Sequence, residues 1–224
     1  MGYMVMYNTL MAVAAGVGLI GFAWLGKKIW QREAISSDGW ALLFGITGTI
    51  LAVLGLTVAV TWPYNVKGVL DANILFGEPA IAFGLLQVAA SVYLWKRGYD
   101  RAKALRAMQP VAIFVFGVGL VMTACAVAWI RYRLGAAPSV EPVSGLFANY
   151  PVIESTFLGI LYGLVALGCL LFPWGVRTRS LGVLRVIFVC WVVAGVVFLV
   201  FGALNYYTHI GLLENTTTGT NYKI

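Results

Sequence analysis

Two acidic side chains at the start of apolar segments are the residues most able to do chemistry in this sequence. Glu78 follows Asn73 by five positions and Glu154 follows Asn149 by the same interval, so the pattern Ala-Asn-x4-Glu occurs twice. A carboxylate at the edge of an apolar span is costly unless a partner stabilises it. A helix N-terminus is one such partner, because its unpaired N–H groups favour a nearby negative charge. The repeated pattern therefore predicts a ligand or proton site that contains these two acids and two asparagines.

The single histidine of the chain adds a third potential ligand. His209 follows the last apolar segment, and the topology predicted below puts it on the same side of the membrane as Glu78 and Glu154. Two carboxylates and an imidazole can bind a divalent or transition metal, and paired carboxylates can share a proton. A metal site of these three residues is one alternative, and acids that only stabilise helix starts are another. No other cofactor is expected.

The composition identifies an integral membrane protein. The 224 residues are 61% hydrophobic and only 10% charged, whereas about a quarter of the residues in a soluble domain are charged. Six apolar runs are long enough to cross a hydrocarbon core of ~30 Å as helices of about 20 residues. They cover positions 8–25, 40–62, 74–95, 110–130, 152–174 and 183–207. The predicted fold is an all-α bundle of six transmembrane helices that forms one domain over residues 1–224.

Lysine and arginine residues predict how the six helices are oriented. Most of them lie in the links after the first, third and fifth spans, and cytoplasmic links carry an excess of basic residues. Both termini, a longer loop at 131–149 and a polar tail at 212–224 are then outside, in the cytoplasmic membrane of a prokaryote. The tail contains Asn215-Thr216-Thr217, which matches a glycosylation acceptor.

The segment Arg97–Gln109 is predicted to be a short, basic, helical link on the cytoplasmic side. Basic residues beside a span are attracted to the anionic head groups of the inner leaflet. Four cations are therefore expected to contact lipid: Arg97, Arg101, Lys103 and Arg106.

The duplicated pattern also predicts an internal repeat of two helical hairpins. Phe44 and Phe116, each followed by glycine, lie upstream of the two copies, so spans two and three resemble spans four and five. Two hairpins in the same orientation would be related by an axis along the membrane normal. Glu78 and Glu154 would then face each other across that axis.

Three features resemble a known family: the six-span layout, the early Tyr7-Asn8-Thr9, and the Asn-x4-Glu-Pro entry to the third span. The family consists of small, uncharacterised membrane proteins of bacteria and archaea and is known as a domain of unknown function. The resemblance covers most of the chain. It implies a membrane protein and brings no activity, cofactor or site residue with it.

Three functional classes fit these patterns. The lack of a catalytic set, the few polar residues inside spans and the 26 glycines favour an accessory or assembly subunit of a larger membrane complex, such as a redox complex. The alternative is a small transporter or ligand-binding protein that uses Glu78 and Glu154, and the third is a membrane metalloenzyme. No pattern indicates an independent catalytic activity.

The expected partners are the lipid bilayer and either other membrane proteins or further copies of the chain. A net charge of +7 is compatible with nucleic-acid binding in general, but here the basic residues are divided among short links between apolar runs. That distribution is the one that membrane orientation requires. Nucleic acid is therefore not an expected partner.

Overall fold

The computed structural model describes residues 8–64, 70–135 and 137–223, and every regular element within them is helical. Six helices in this part of the chain are long and apolar enough to cross a membrane, which confirms the predicted all-α, six-span fold. They are α1 (Asn8–Gln31), α2 (Ser37–Thr61), α3 (Glu78–Arg97), α4 (Arg101–Tyr132), α5 (Pro151–Thr178) and α6 (Leu181–Thr218). Tyr7 of the motif noted above and Ile224 of the predicted tail lie outside the described residues.

Asp100 determines where α4 begins. Its carboxylate accepts a hydrogen bond from the N–H of Lys103 at 2.9 Å, which satisfies one of the unpaired donors of the first helical turn. The helix then continues through Pro110. The predicted link Arg97–Gln109 is therefore, from Arg101 onward, the first part of the long fourth helix.

The links divide the bundle into two ends. The basic end carries the short links 32–36, 98–100 and 179–180. The loop end carries the connection from α2 to α3, the α4–α5 loop at 133–150 and the residues after α6. The excess of lysine and arginine near the three short links 32–36, 98–100 and 179–180 predicts that the basic end is cytoplasmic.

The six helices form a ring. Each helix packs chiefly on the next in the spatial order α3, α2, α1, α6, α5, α4. The ring closes through α3 and α4, which contact each other sparsely although only residues 98–100 join them. This arrangement leaves space between the inner faces of the helices.

Glycine residues allow two of the helix pairs to approach to backbone contact. A Cβ atom on Gly16 of α1 would lie 2.5 Å from the carbonyl oxygen of Gly195 and 2.5 Å from the nitrogen of Leu199, both in α6. A Cβ on Gly84 of α3 would overlap the backbone nitrogen of Ala52 in α2. Membrane helices commonly associate through such small residues, so these crossings fix the distances between neighbouring helices in the ring.

We expect Gly16→Ala to lower the free energy of unfolding by about 1–3 kcal/mol, the usual cost of overpacking. The backbone atoms that the new methyl group meets cannot move without separating α1 from α6. Gly117→Ala is the matched control, because a Cβ there meets nothing within 4 Å. Alanine is the better helix former by ~1 kcal/mol, so the control should be unchanged or stabilised. Unfolding by a denaturing detergent measures both, and equal losses would contradict the proposed crossing.

Candidate functional site

Glu78 lies at the loop end, at the start of α3. It directly follows a π-helical turn, Asn73–Gly77, that leads into the helix. The side chain is exposed, and its carboxylate is close enough to the thiol of Cys125 in α4 to interact with it electrostatically. Glu78 therefore belongs to the region where α3 and α4 meet.

Asn73 and Asn149 are not equivalent in the structure. The amide nitrogen of Asn73 donates to the carbonyl oxygens of Tyr64 and Leu70 at 2.7 and 2.9 Å, and its oxygen accepts from the Tyr64 N–H at 3.1 Å. Asn73 is buried and anchors the connection from α2 to α3, whereas Asn149 is exposed in the loop before α5. Both hairpins are pairs of packed helices, but their entry segments differ, so the internal repeat stays a prediction.

Glu154 interacts with a different acid from the predicted one. Its carboxylate, in the first turn of α5, accepts a hydrogen bond from the N–H of Ala137 at 3.1 Å. Its electrostatic partner is Glu141 in the α4–α5 loop. Glu141 is only 6% exposed, and the nearby hydroxyl of Thr208 in α6 stabilises the charged form of its carboxylate. Among the described residues, Glu141 is therefore an acid that acts on Glu154, and the predicted site of Glu78 and Glu154 stays a prediction.

The sequence contained one signal for Glu141 that the repeated pattern obscured. It is the only charged residue between Arg133 and Glu154, and a proline follows it. A lone acid in a loop that proline and glycine make rigid is a candidate for a buried contact. That signal does not identify α6 as the partner.

The α4–α5 loop and the residues after α6 form one structure, which we call the loop-end cap (137–148 and 219–223). The amide nitrogen of Asn215 donates to the carbonyl oxygens of Val140 and Tyr222 at 2.7 and 3.0 Å, and its oxygen accepts from the Tyr222 N–H at 2.8 Å. The ammonium group of Lys223 donates to the carbonyl oxygens of Ser139 and Glu141. These bonds tie the loop to the end of the chain.

Asn215 is consequently a poor acceptor for a glycan in the folded protein. Its side chain is 2% exposed, and both hydrogens of its amide nitrogen are already donated. It lies in α6, which continues to Thr218, so much of the predicted tail 212–224 is helical. We therefore expect no modification at this position once the cap has formed.

Burial raises the pKa of the Glu141 carboxyl, and the hydrogen bond from Thr208 and the charge of Lys223 oppose that shift. A raised pKa in the folded cap means that the closed cap binds the proton more tightly than the open one. This stabilisation is complete below the ordinary carboxyl pKa of ~4.3 and is lost as pH rises through the folded pKa. We expect backbone hydrogen exchange in residues 137–148, corrected for intrinsic rates, to become faster as pH rises from ~4.3 through the folded pKa of Glu141.

Two variants separate Glu141 from the other acids of the loop end. Glu141→Gln should remove most of this pH dependence, because the amide stays neutral. Glu214→Gln changes an exposed acid of the same end and should leave it unchanged, and Glu154 remains present in both variants. An unaltered pH profile in Glu141→Gln would contradict the assignment.

His209 lies in α6, one position after Thr208. Its side chain is half-buried, and its Nδ1 atom is buried without a hydrogen-bond partner among the described residues. No group of three or more histidine, cysteine, aspartate or glutamate side chains in the described ranges is arranged to hold a metal ion. The structure therefore does not bring Glu78, Glu154 and His209 together.

The four basic residues predicted to contact lipid have different surroundings. Arg97, Lys103 and Arg106 are exposed at the basic end. Arg101 is half-buried, and its Nε atom donates to the carbonyl oxygen of Ile29 at 3.0 Å. Arg101 therefore ties the start of α4 to the end of α1. Lys103 also forms an exposed ion pair with Asp100 at 3.9 Å, and the predicted contact of the exposed cations with head groups stays a prediction.

The ring of helices encloses an apolar cavity of about 1070 Å³. Inward-facing residues of α1, α3, α4, α5 and α6 line it, and α2 contributes Leu51. The hydroxyl of Tyr162, which also lines it, is already donated to the carbonyl oxygen of Leu75 at 2.8 Å. Glu78, Glu154 and His209 are not part of the wall. The middle of the cavity therefore offers almost no polar contact.

Polar side chains in the wall are concentrated toward the two ends of the cavity. Lys27 and Arg185 are the charged lining residues in the described part of the chain, and both lie at the basic end. Asn8 and Asn205 line the loop end. With a rise of ~1.5 Å per residue, Arg185 and Asn205 are roughly 30 Å apart along α6. The cavity thus extends over a whole hydrocarbon core of ~30 Å.

Comparison with known proteins identifies a family without an assigned activity. Residues 1–211 match the family described as "Protein of unknown function (DUF981)". No curated protein and no solved structure matches the chain. The matched range includes every residue that lines the cavity.

Proposed function

Because the chain belongs to the family of proteins of unknown function DUF981, we propose its function from the geometry: it binds a long-chain, lipid-like molecule inside the ring of helices. The observation that carries this proposal is the cavity. Its described wall is mostly apolar over the thickness of a hydrocarbon core, and the charged and amide side chains of that wall lie at its ends. Ligand sites commonly have volumes of about 300–1,000 Å³ and mostly apolar walls with a few placed polar groups.

The size of the cavity argues that it is occupied in the membrane. An empty apolar cavity costs ~24 cal/mol per Å³, so roughly 25 kcal/mol for about 1070 Å³. That exceeds the whole stability of a typical domain, ~5–15 kcal/mol. Water would find few partners along the apolar middle of the wall. An apolar chain restores the lost contacts and is abundant in a bilayer.

The same wall gives little support to the transport of ions or small polar solutes. Beyond Lys27 and Arg185 at the basic end, such a solute would cross most of the roughly 30 Å without meeting another charged side chain of the described wall. The acids predicted to serve as a transport or metal site lie outside the cavity. Release of a bound long-chain molecule into the bilayer requires no polar path. The sparse contact between α3 and α4 favours exchange of that molecule with the bilayer between these two helices.

Native mass spectrometry of the full-length protein, released from membranes in a mild detergent, tests the proposal. We expect about one retained molecule per chain, with a defined mass that lipid extraction reproduces. A bare protein mass would contradict the proposal. So would a mixture of adducts in the same proportions as the bulk membrane lipids.

The accessory-subunit role predicted from the sequence is compatible with lipid binding but has no separate support from the cavity. Its own test is purification under the same conditions followed by identification of copurified proteins. A partner in fixed ratio would support it. A clean monomer or homodimer would contradict it without affecting the proposal above.

A further inference from the structure

Two side-chain amides line the loop end of the cavity. Asn205 lies on α6 and is only 3% exposed, yet its side chain is part of the cavity wall. Asn8 is the first residue of α1 and lines the same cavity. An amide buried in an apolar wall is unfavourable unless it is hydrogen-bonded, so this pair needs an explanation.

The two amides are neighbours because α1 and α6 cross closely at this level. A Cβ atom on Gly202 of α6 would lie 2.8 Å from the nitrogen of Val13 and 3.0 Å from the carbonyl oxygen of Thr9. Asn8 immediately precedes Thr9. Asn205 follows Gly202 by three positions, and residues three apart share a helix face. Both amides therefore occupy one region of the wall.

Neither amide has a partner among the described residues that would explain its burial. The Oδ1 atom of Asn8 is buried and accepts no hydrogen bond from the described residues. The side chain of Asn205 forms no hydrogen bond within the described ranges either, in contrast to Asn73 and Asn215, whose amides are fully used. Most buried polar groups in proteins are hydrogen-bonded, so the missing partner is expected to come from a ligand.

We propose that Asn8 and Asn205 bind an uncharged polar group, a hydroxyl or carbonyl oxygen, at one end of the long-chain ligand. This inference rests on the proposed function, since it concerns the polar end of a molecule held in the same cavity. A side-chain amide both donates and accepts hydrogen bonds and therefore suits a neutral oxygen. The described wall carries no cation at the loop end to neutralise an anionic head group, because Lys27 and Arg185 lie at the basic end.

Photolabelling of the full-length protein in mild detergent tests the inference with three probes of equal chain length. They are photoreactive hexadecanol, photoreactive hexadecane and photoreactive hexadecanoate. In the wild-type protein we expect hexadecanol to label the cavity wall about tenfold more than hexadecane at equal concentration, the ratio that one or two net hydrogen bonds supply. Hexadecanoate should label no better than hexadecane.

Asn205→Leu has nearly the same side-chain size and should remove the preference for hexadecanol while leaving hexadecane labelling unchanged. The unchanged hexadecane signal also shows that the variant is folded. Asn8→Leu is the second variant with the same expectation, in case one substitution prevents folding. Asn149→Leu alters an exposed loop asparagine that is not part of the cavity wall, and it should keep the preference.

The outcomes separate this inference from the proposed function. Equal labelling by hexadecanol and hexadecane in the wild-type protein, or a preference for hexadecanoate, would overturn the assignment of a neutral oxygen and leave chain binding intact. A hexadecanol preference that survives in both leucine variants would also overturn it. Failure of all three probes to label the cavity wall would overturn the proposed function itself.

Discussion

The substitution Val118→Trp is expected to displace the bound chain molecule and to lower its copurification about tenfold or more. Val118 lies on α4, is half-buried and lines the cavity. An indole at this position would occupy volume that the ligand needs. Overpacking of a filled site costs about 1–3 kcal/mol, and each ~1.4 kcal/mol changes a binding constant tenfold. Native mass spectrometry of the purified variant measures the retained fraction.

Val121→Trp is the matched control for this experiment. It introduces the same residue three positions along the same helix, where the native side chain is 47% exposed and does not line the cavity. The control should retain the ligand at the wild-type level. If both variants lose it equally, or neither does, the cavity is not the binding site. Size-exclusion profiles of the two variants show whether either has lost its fold.

Fold class was predictable because the bilayer imposes it. A span must satisfy its own backbone groups as a helix and must be about 20 residues long, so hydropathy alone located six helices. The lengths of α4 and α6 were harder to predict from the sequence, since both helices extend beyond the hydrocarbon core. Asp100 caps α4, which begins nine residues before the predicted span. Asn215 holds the far end of α6 against the α4–α5 loop.

The pairing of acids was not predictable from the repeated pattern. Equal spacing along the chain placed Glu78 and Glu154 at similar heights but contained no information about which neighbours they meet. Glu154 instead meets Glu141, because the α4–α5 loop folds back over α5 and α6 and is held there by Asn215 and Lys223. Such a contact depends on loop tertiary structure, which hydropathy does not encode.

The cavity was inaccessible to sequence analysis for a different reason. A helix face that meets lipid and one that meets an apolar cavity both require apolar residues, so composition does not distinguish them. Val118 and Val121 are the same residue type on the same helix, yet only the first lines the cavity. Whether a residue lines the cavity depends on the position of its helix in the ring. The ring in turn depends on which helix pairs cross closely at glycine. A site made of apolar residues therefore becomes visible only in the folded structure.

Gln87 is a polar side chain buried where three helices meet. It is completely buried in α3, and its oxygen accepts a hydrogen bond from the hydroxyl of Thr47 in α2. On its other side a Cβ atom on Gly18 of α1 would lie 2.5 Å from its Nε2 atom. That nitrogen has no hydrogen-bond partner among the described residues. Gln87 therefore occupies the junction of three helices with only part of its hydrogen-bonding capacity used.

We expect Gln87→Glu to be among the most destabilising single substitutions in the chain, at about 3 kcal/mol, because a charge at the middle of a membrane helix costs ~2.5–3.5 kcal/mol. Gln87→Leu should cost little or stabilise the protein. It removes an unpaired donor, and Thr47 keeps a second acceptor, the carbonyl oxygen of Leu43 at 2.8 Å. Unfolding in a denaturing detergent ranks the variants. Equal losses for both substitutions would contradict this expectation and mean that the junction requires the amide itself, for example to orient α1 against α2 and α3.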